Sequence, residues 1–207
     1  MQIEIWSDVI CPWCYIGKRR LEQALVQFGQ CEDINIIWRS FELDPNAPRL
    51  HPGKMDERLA RKYGISPQQA TEMIARVSGA AREVGLEYRL ADALPGNTLA
   101  AHRLLHFAAT QLKSGPAVEC IMRAYFSESL PIGDHTALAK LAPKFGIAED
   151  DVLAMLASDD FSAEVRADEA RAAELGITGV PYFLFDGKTG ISGAQPVGVF
   201  IKMLEQS

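Results

Sequence analysis

The hydrophobic and polar positions change their period along the first forty residues. Residues 2–6 alternate polar and apolar side chains, which is the period of a half-buried strand, so they predict a first strand. From Tyr15 to Phe28 apolar side chains recur on one face at helical spacing, and Gly29 marks the end of that helix. Residues 34–41 are rich in β-branched and aromatic side chains, which favours a second strand.

The middle of the chain is predicted to be helical. Residues 45–53 contain prolines and a glycine and indicate a linker. Ser66, Pro67 and Gln69 then form the N-terminal pattern of a helix, and Asn97 is expected to cap another. Apolar side chains at helical spacing predict these further helices: residues 97–112, 116–126, 135–145 and 149–156. The pattern predicts no strand in this region.

The C-terminal part returns to mixed structure. Residues 163–175 predict a helix, and the apolar run 180–185 predicts a strand. The Asp-Gly-Lys sequence at 186–188 is a hairpin signal, so residues 190–193 are expected to form the partner strand. A closing helix is predicted over residues 197–205.

Composition limits the classes of protein that fit this pattern. The chain has 207 residues, 48% of them hydrophobic and 23% charged, which excludes disordered and collagen-like proteins. The net charge of −6 and the lack of a long apolar run predict no nucleic-acid and no membrane partner. The first residues lack the features of a secretion signal, so we expect a cytoplasmic protein. Four cysteines in such a compartment favour chemistry over structural disulfides.

Cys11 and Cys14 form a Cys-Pro-Trp-Cys motif between the first strand and the first helix. Unpaired N–H groups and the helix dipole stabilise a thiolate at a helix N-terminus, so Cys11 is expected to be the exposed, low-pKa nucleophile. Pro12 suits the first helical turn. Cys14 lies one turn further in and is expected to be the buried, resolving thiol. Cys31 and Cys120 have no neighbouring Cys or His, so they are interpreted as bystanders and no metal site is expected.

Two further positions are candidates for contact with a substrate. Trp13 lies between the cysteines and either packs on the helical region or offers an apolar surface to a substrate. Pro181 opens the late apolar strand, where a cis bond would bring backbone close to the sulfurs. In that arrangement the N–H and C=O of Val180 would be free to pair with a substrate backbone.

His102 and His106 lie four residues apart and therefore share a helix face. A metal pair is not favoured, because Arg103 stands where such a metal-binding helix has its catalytic Glu, and because no third ligand is evident. Two readings stay open. Either one histidine lies at the helical cap and the other is held in its own hydrogen bonds, or His102 contributes with Asn97 to a pocket near the Cys11 thiolate.

Three separated phrases of the sequence resemble FrnE-type proteins in the DsbA branch of the thioredoxin superfamily. They are Ser-Asp-Val-Ile-Cys-Pro-Trp-Cys at 7–14, Asn-Thr-Leu-Ala-Ala-His at 97–102 and Ile-Ser-Gly-Ala-Gln-Pro at 191–196. The resemblance implies an α/β thioredoxin fold with a large all-helical insertion. It implies a discontinuous thioredoxin-like domain, residues 1–44 and 160–207, that carries an inserted helical domain, residues 45–159. It also implies a cis bond at Pro181 and a dithiol–disulfide oxidoreductase.

The resemblance implies roles for individual residues. Cys11 and Cys14 are the catalytic pair; Pro12, Trp13, Val180 and Pro181 contact the substrate; and Asn97, His102 and Gln195 are candidate pocket residues. The expected substrate is a protein or small molecule that bears a disulfide or thiol. No bound cofactor is expected, although glutathione is a candidate thiol co-substrate, and the chain is expected to be a monomer or homodimer.

The same branch contains glutathione-dependent relatives, which keep a second function open. These are the 2-hydroxychromene-2-carboxylate isomerases and the kappa-class glutathione transferases. They have Ser where this chain has Cys11, and they tend to have an acidic residue where this chain has Gln195. A neutral amide gives up the charge-assisted bond to the glutathione ammonium group. An isomerase or transferase is therefore the alternative to the oxidoreductase.

Overall fold

The computed structural model describes residues 1–29 and 34–206. Its strands form a mixed sheet in the order β2-β1-β3-β4. The strands are β1 (Gln2–Ser7), β2 (Asn35–Ser40), β3 (Tyr182–Phe185) and β4 (Thr189–Ser192). β1 runs parallel to β2 and antiparallel to β3, so Ile5 has Trp38 on one side and Phe183 on the other. This is the predicted mixed α/β fold of the thioredoxin type.

Helices cover both faces of the sheet and fill the region between β2 and β3. The α-helices are α1 (Pro12–Phe28), α2 (Met55–Tyr63), α3 (Pro67–Glu83), α4 (Leu99–Thr110), α5 (Ser114–Glu128), α6 (His135–Ala139), α7 (Glu149–Ala157), α8 (Ser162–Glu174) and α9 (Val197–Gln206). Two short 3-10 helices lie at Leu90–Asp92 and Ala142–Phe145. Within the described residues, none of these helices is both long enough and apolar enough to cross a bilayer.

The alternating residues of β1 are buried on both faces of the sheet. Ile3 and Ile5 pack with side chains of α1 and α9, whereas Trp6 packs on the opposite face with α8. Glu4 is also buried, because it forms ion pairs with Arg39 and Arg171. The polar position of the pattern is therefore an internal ion-pair site rather than a solvent-facing one.

The segment between β2 and β3 contains helices and loops only, as the pattern predicted. Ser66 and Gln69 form the expected capping box at the start of α3. The predicted helix 135–145 is wrong, because the structure splits it into α6 and a 3-10 helix. Pro143 has no N–H to donate and disfavours helical backbone at the preceding residue, so the helix cannot continue through it. The division into two domains stays a prediction.

Gly17 places α1 against the start of β3. A Cβ atom at this position would lie 3.1 Å from the Phe183 ring and 3.2 Å from Pro181, which is tighter than ordinary packing. The missing side chain lets α1 approach β3 closely. Because α1 also begins where β1 ends, Cys11 and Pro181 meet at one edge of the sheet.

Candidate active site

Cys11 is the N-cap residue of α1, with extended backbone angles of φ −82° and ψ 114°, and Pro12 follows in the first turn. Its thiol donates a hydrogen bond to the carbonyl oxygen of Val180, at a sulfur–oxygen distance of 3.6 Å. The expectation that Cys11 is exposed is wrong, since the side chain is only 5% exposed. The helical insertion packs around this end of α1 and includes Cys11 in its apolar core. Cys11 is reached through a cavity rather than from the open surface.

Cys14 lies one turn further along α1 and is buried, as predicted. Its backbone N–H donates to the carbonyl of Cys11 at 3.0 Å, and both residues are free thiols. Burial and the neighbouring Cys11 sulfur raise the pKa of the Cys14 thiol well above its ordinary value, although bonds to Ser7 and Asp8 act in the other direction. Cys14 is therefore protonated at neutral pH and needs to lose its proton before it can attack a sulfur.

The Val180–Pro181 segment faces the cysteines. The peptide bond between these residues is cis. The prediction of a free Val180 carbonyl is wrong, because that oxygen accepts the Cys11 thiol. The N–H of Val180 makes no hydrogen bond within the described residues. Pro181 is buried, and its carbonyl accepts from the N–H of Gly193 at 2.7 Å, which fixes the segment to the end of β4.

A cavity of about 660 Å³ opens beside Cys11. Pro12 and Trp13 line one side of it, and α2 and α3 line the other. Trp13 is 42% exposed, so it offers its ring to the cavity, in line with the second of the two predictions for this residue. The apolar lining residues of the two helices are Met55, Leu59, Met73, Ile74 and Val77. The acidic and basic lining residues are Asp44, His51, Arg58, Arg61 and Lys62.

His102 does not line this cavity. It is 1% exposed, and its Nε2 lies 3.3 Å from Oδ1 of the fully buried Asp8. The N–H of Ile10 lies 3.5 Å from the same Asp8 oxygen, and the backbone of Asp8 bonds to the Cys14 sulfur. His106 bonds elsewhere, with Nε2 3.1 Å from Ser40 Oγ. The two histidines are held in separate hydrogen bonds, and neither lies at the helical cap that the first interpretation assigned to one of them.

Asn97 and Gln195 are also absent from the cavity wall. The Asn97 side chain accepts from the N–H of Leu99 and donates to the carbonyl of Pro45, both at 3.0 Å. The helix begins at Leu99 and its N-cap residue is Thr98. Asn97, which was predicted to be the cap, therefore lies one residue before the cap position. Gln195 donates to the carbonyl of Ser192 at 2.8 Å. Both side chains hold loops in place.

Of the other two cysteines, the structure describes Cys120. Cys120 is buried in α5, and burial raises the pKa of its thiol. Cys31 lies outside the described residues.

Two residues of the site were not singled out by the sequence analysis. Tyr88 donates its hydroxyl to the carbonyl of Pro12 at 2.8 Å, although 76 residues separate them. Arg58 lines the cavity from α2. The clustered cations of α2, which include Arg61 and Lys62, were a readable signal, whereas nothing in the sequence marks Tyr88.

Comparisons with known proteins identify the family of this chain. A model of the DSBA-like thioredoxin domain family matches residues 2–205. A probable DsbA oxidoreductase from Streptomyces coelicolor is 40% identical, with a TM-score of 0.95 over 100% of this chain and 89% of that one. Protein YwbO of Bacillus subtilis (strain 168) is 28% identical over 209 residues, which are 99% of this chain and 96% of YwbO. A 2-hydroxychromene-2-carboxylate isomerase shares the fold, at 15% identity and a TM-score of 0.70 over 100% of this chain and 93% of that one. The chain belongs to the DSBA-like thioredoxin domain family.

Proposed function

We propose that the chain is a thiol–disulfide oxidoreductase in which Cys11 attacks and Cys14 resolves. The observation that carries this proposal is the difference between the two sulfurs. Cys11 stands at the N-terminus of α1, faces the Val180 carbonyl and lines the cavity. Cys14 is buried behind it, outside the cavity lining.

Thiol–disulfide exchange accounts for both positions. The Cys11 thiolate attacks one sulfur of a disulfide R–S–S–R, forms a mixed disulfide and releases one thiolate, which takes up a proton. Cys14 then loses its proton and attacks the Cys11 sulfur, so the Cys11–Cys14 bond forms and the second thiolate leaves. Two electrons pass from the cysteine pair to the substrate. In reverse, the oxidised pair accepts two electrons from a dithiol, and the direction depends on the substrates and on the compartment.

The raised pKa of Cys14 sets the order in which the two cysteines attack. A thiol that stays protonated is a poor nucleophile, so the first attack belongs to Cys11. Once Cys11 is in a mixed disulfide, its sulfur carries no negative charge and no longer disfavours the Cys14 thiolate. Bonds from Ser7 and the Asp8 backbone then favour ionisation of Cys14 at the moment when it is needed.

The proposal extends to the setting of the reaction. We place the chain in the cytoplasm, where the reducing poise favours the dithiol form, with a disulfide-bearing or thiol-bearing substrate and no bound cofactor. Glutathione fits as a thiol co-substrate that regenerates the pair.

Reduction of insulin and of glutathione disulfide tests the proposal. Cys11→Ser is expected to abolish turnover, and Cys14→Ser is expected to stop at a mixed disulfide that mass spectrometry detects. Cys120→Ser is the control and keeps its activity. Brief alkylation of the reduced protein at pH 7, followed by peptide mapping, is expected to label Cys11 before Cys14.

Undiminished disulfide reduction by Cys11→Ser would overturn the proposal. Retention of 2-hydroxychromene-2-carboxylate isomerase activity by Cys14→Ser would favour the glutathione-dependent alternative instead.

A further inference from the structure

The cavity beside Cys11 contains a cation that the protein itself does not neutralise. Arg58 on α2 is partly buried and lines the cavity, yet its guanidinium forms no ion pair or hydrogen bond within the described residues. Other partly buried arginines are paired: Arg39 binds Glu4, and Arg19 binds Glu119. A partly desolvated charge without a partner is costly, so Arg58 is a site where an anion would be stabilised.

The charges around Arg58 reinforce this conclusion. Arg61 and Lys62 line the same cavity, while the chain as a whole carries a net charge of −6. Burial, Arg58 and Lys62 lower the pKa of His51, so this neighbour is neutral at pH 7. Asp44 is the acidic residue in the cavity lining; it lies beyond ion-pair distance of Arg58 and accepts from the N–H of Asn46 at 3.2 Å. The cavity is therefore positive in a negative protein.

The remaining walls of the cavity are apolar. Met55 and Leu59 of α2 face Met73 and Ile74 of α3, and the exposed ring of Trp13 lies beside Cys11. A volume of about 660 Å³ lies in the range of sites for small organic ligands. Methionine and tryptophan side chains contact aromatic and other flat apolar groups well.

We propose that the substrate is a low-molecular-weight disulfide, or the corresponding thiol, with an anionic group that binds Arg58 and an apolar body that lies against Trp13. This inference rests on the proposed function, because it takes Cys11 as the attacking sulfur. Arg58 is a specificity-determining residue. It binds the substrate through charge-assisted hydrogen bonds and takes no part in the exchange of sulfur bonds.

A pair of chromogenic disulfides separates charge from reactivity. The probes are 5,5′-dithiobis(2-nitrobenzoate), which carries two carboxylates, and its neutral bis-amide. Each is mixed with the reduced protein in a single turnover, which oxidises the Cys11–Cys14 pair to its disulfide and releases two aromatic thiols. Stopped-flow absorbance follows the first thiol.

Arg58→Gln is expected to slow the dicarboxylate by about tenfold and to change the rate with the bis-amide less than about twofold. Arg58→Lys keeps the charge but not the bidentate geometry, so an intermediate rate is expected. Arg76→Gln is the matched control. It makes the same change in net charge on exposed α3 surface outside the cavity and is expected to leave both rates unchanged.

Two results would overturn the inference: an equal effect of Arg58→Gln on both disulfides, or an equal effect of Arg76→Gln and Arg58→Gln on the dicarboxylate. An unchanged rate with the bis-amide shows that the variant is folded. Failure of the proposed function looks different, because the wild-type protein would then oxidise no thiols with either probe, or Cys11→Ser would react as fast as the wild type.

Discussion

α5 and α2 belong to the same helical insertion, but they contribute to the candidate site in opposite ways. α5 has eight buried side chains, and its Glu119 bonds to α1. α2 has no buried residue, and three of its side chains bring positive charge to the cavity, namely Arg58, Arg61 and Lys62. α5 fixes the helix that carries the cysteines, whereas α2 presents positive charge to the cavity. We therefore expect stability to depend on α5 and, under the proposal above, substrate specificity to depend on α2.

The largest expected effect is a loss of stability caused by a substitution in α5. Phe126 is fully buried, and its ring lies 4.6 Å from that of Tyr88 and 4.8 Å from that of Tyr125. Phe126→Ala is expected to lower the free energy of unfolding by about 3–5 kcal/mol, because it leaves a cavity among aromatic rings. Tyr63→Ala removes an aromatic ring from α2 that is 55% exposed and is expected to cost about 0.5 kcal/mol or less. Urea unfolding measures both, and similar losses would contradict the comparison.

The next effect is electrostatic and depends on pH. Tyr15 and Lys18 of α1 each donate to Glu119 at 2.6 Å, and Arg19 bonds to it as well. Although burial alone raises the pKa of Glu119, hydrogen bonds from Arg19, Lys18 and Tyr15 lower it to about 2. In the unfolded chain the value is about 4.3. The stabilisation is therefore present at pH 7 and is lost as the pH falls from about 4.3 to about 2.

Glu119→Gln tests that link. It is expected to lower the free energy of unfolding by about 1–3 kcal/mol at pH 7, and the difference from the wild type is expected to shrink as the pH approaches 2. Glu22→Gln is a matched control, because Glu22 binds Lys18 and Arg19 within α1 itself, and we expect it to cost about 0.5 kcal/mol or less. Equal losses in the two variants would mean that Glu119 does not couple the helices.

The smallest expected effect is on the stability of α3, one of the helices that line the cavity. Ser66 Oγ accepts from the N–H of Gln69 at 3.2 Å and caps α3. Ser66→Ala is expected to cost about 1 kcal/mol of helix stability. Because α2 buries so little, we expect this loss to appear as faster hydrogen exchange in α2 and α3, while α5 keeps its protection. Faster exchange in α5 by the same factor would show that α5 unfolds together with α2 and α3.

Local patterns predicted most of the elements. The alternation over residues 2–6, the stop at Gly29, the capping box at Ser66 and the turn at 186–188 each depend on neighbours in sequence, and each agrees with the structure. The predicted bounds differ by a few residues, because the ends of helices depend on which carbonyls find a donor. The break before Pro143 was also a local signal, although helical periodicity on both sides obscured it.

The candidate site was less predictable, because it is built from contacts between distant residues. The proposed order in which the two cysteines attack follows from their places on one helix. The burial of Cys11, however, depends on the helical insertion, whose position in space the pattern does not predict. Asp8 and His102 are 94 residues apart, and Val180 lies 169 residues from Cys11. The short phrases that resemble FrnE-type proteins implied the fold, but not which side chains face the cavity.

The hydrogen bond from Cys11 to Val180 is expected to be lost at one particular step of the proposed reaction. A thiol has one hydrogen to donate, and a sulfur in a disulfide has none. In the proposed reaction Cys11 gives up this hydrogen when it ionises, so the Val180 carbonyl has lost its donor before the sulfur–sulfur bond to the substrate forms. In that proposed step the oxygen becomes free to bond to the attached molecule, together with the N–H of the same residue, which makes no hydrogen bond within the described residues. Until Cys11 ionises, the resting thiol thus occupies the carbonyl that becomes available to a bound substrate afterwards.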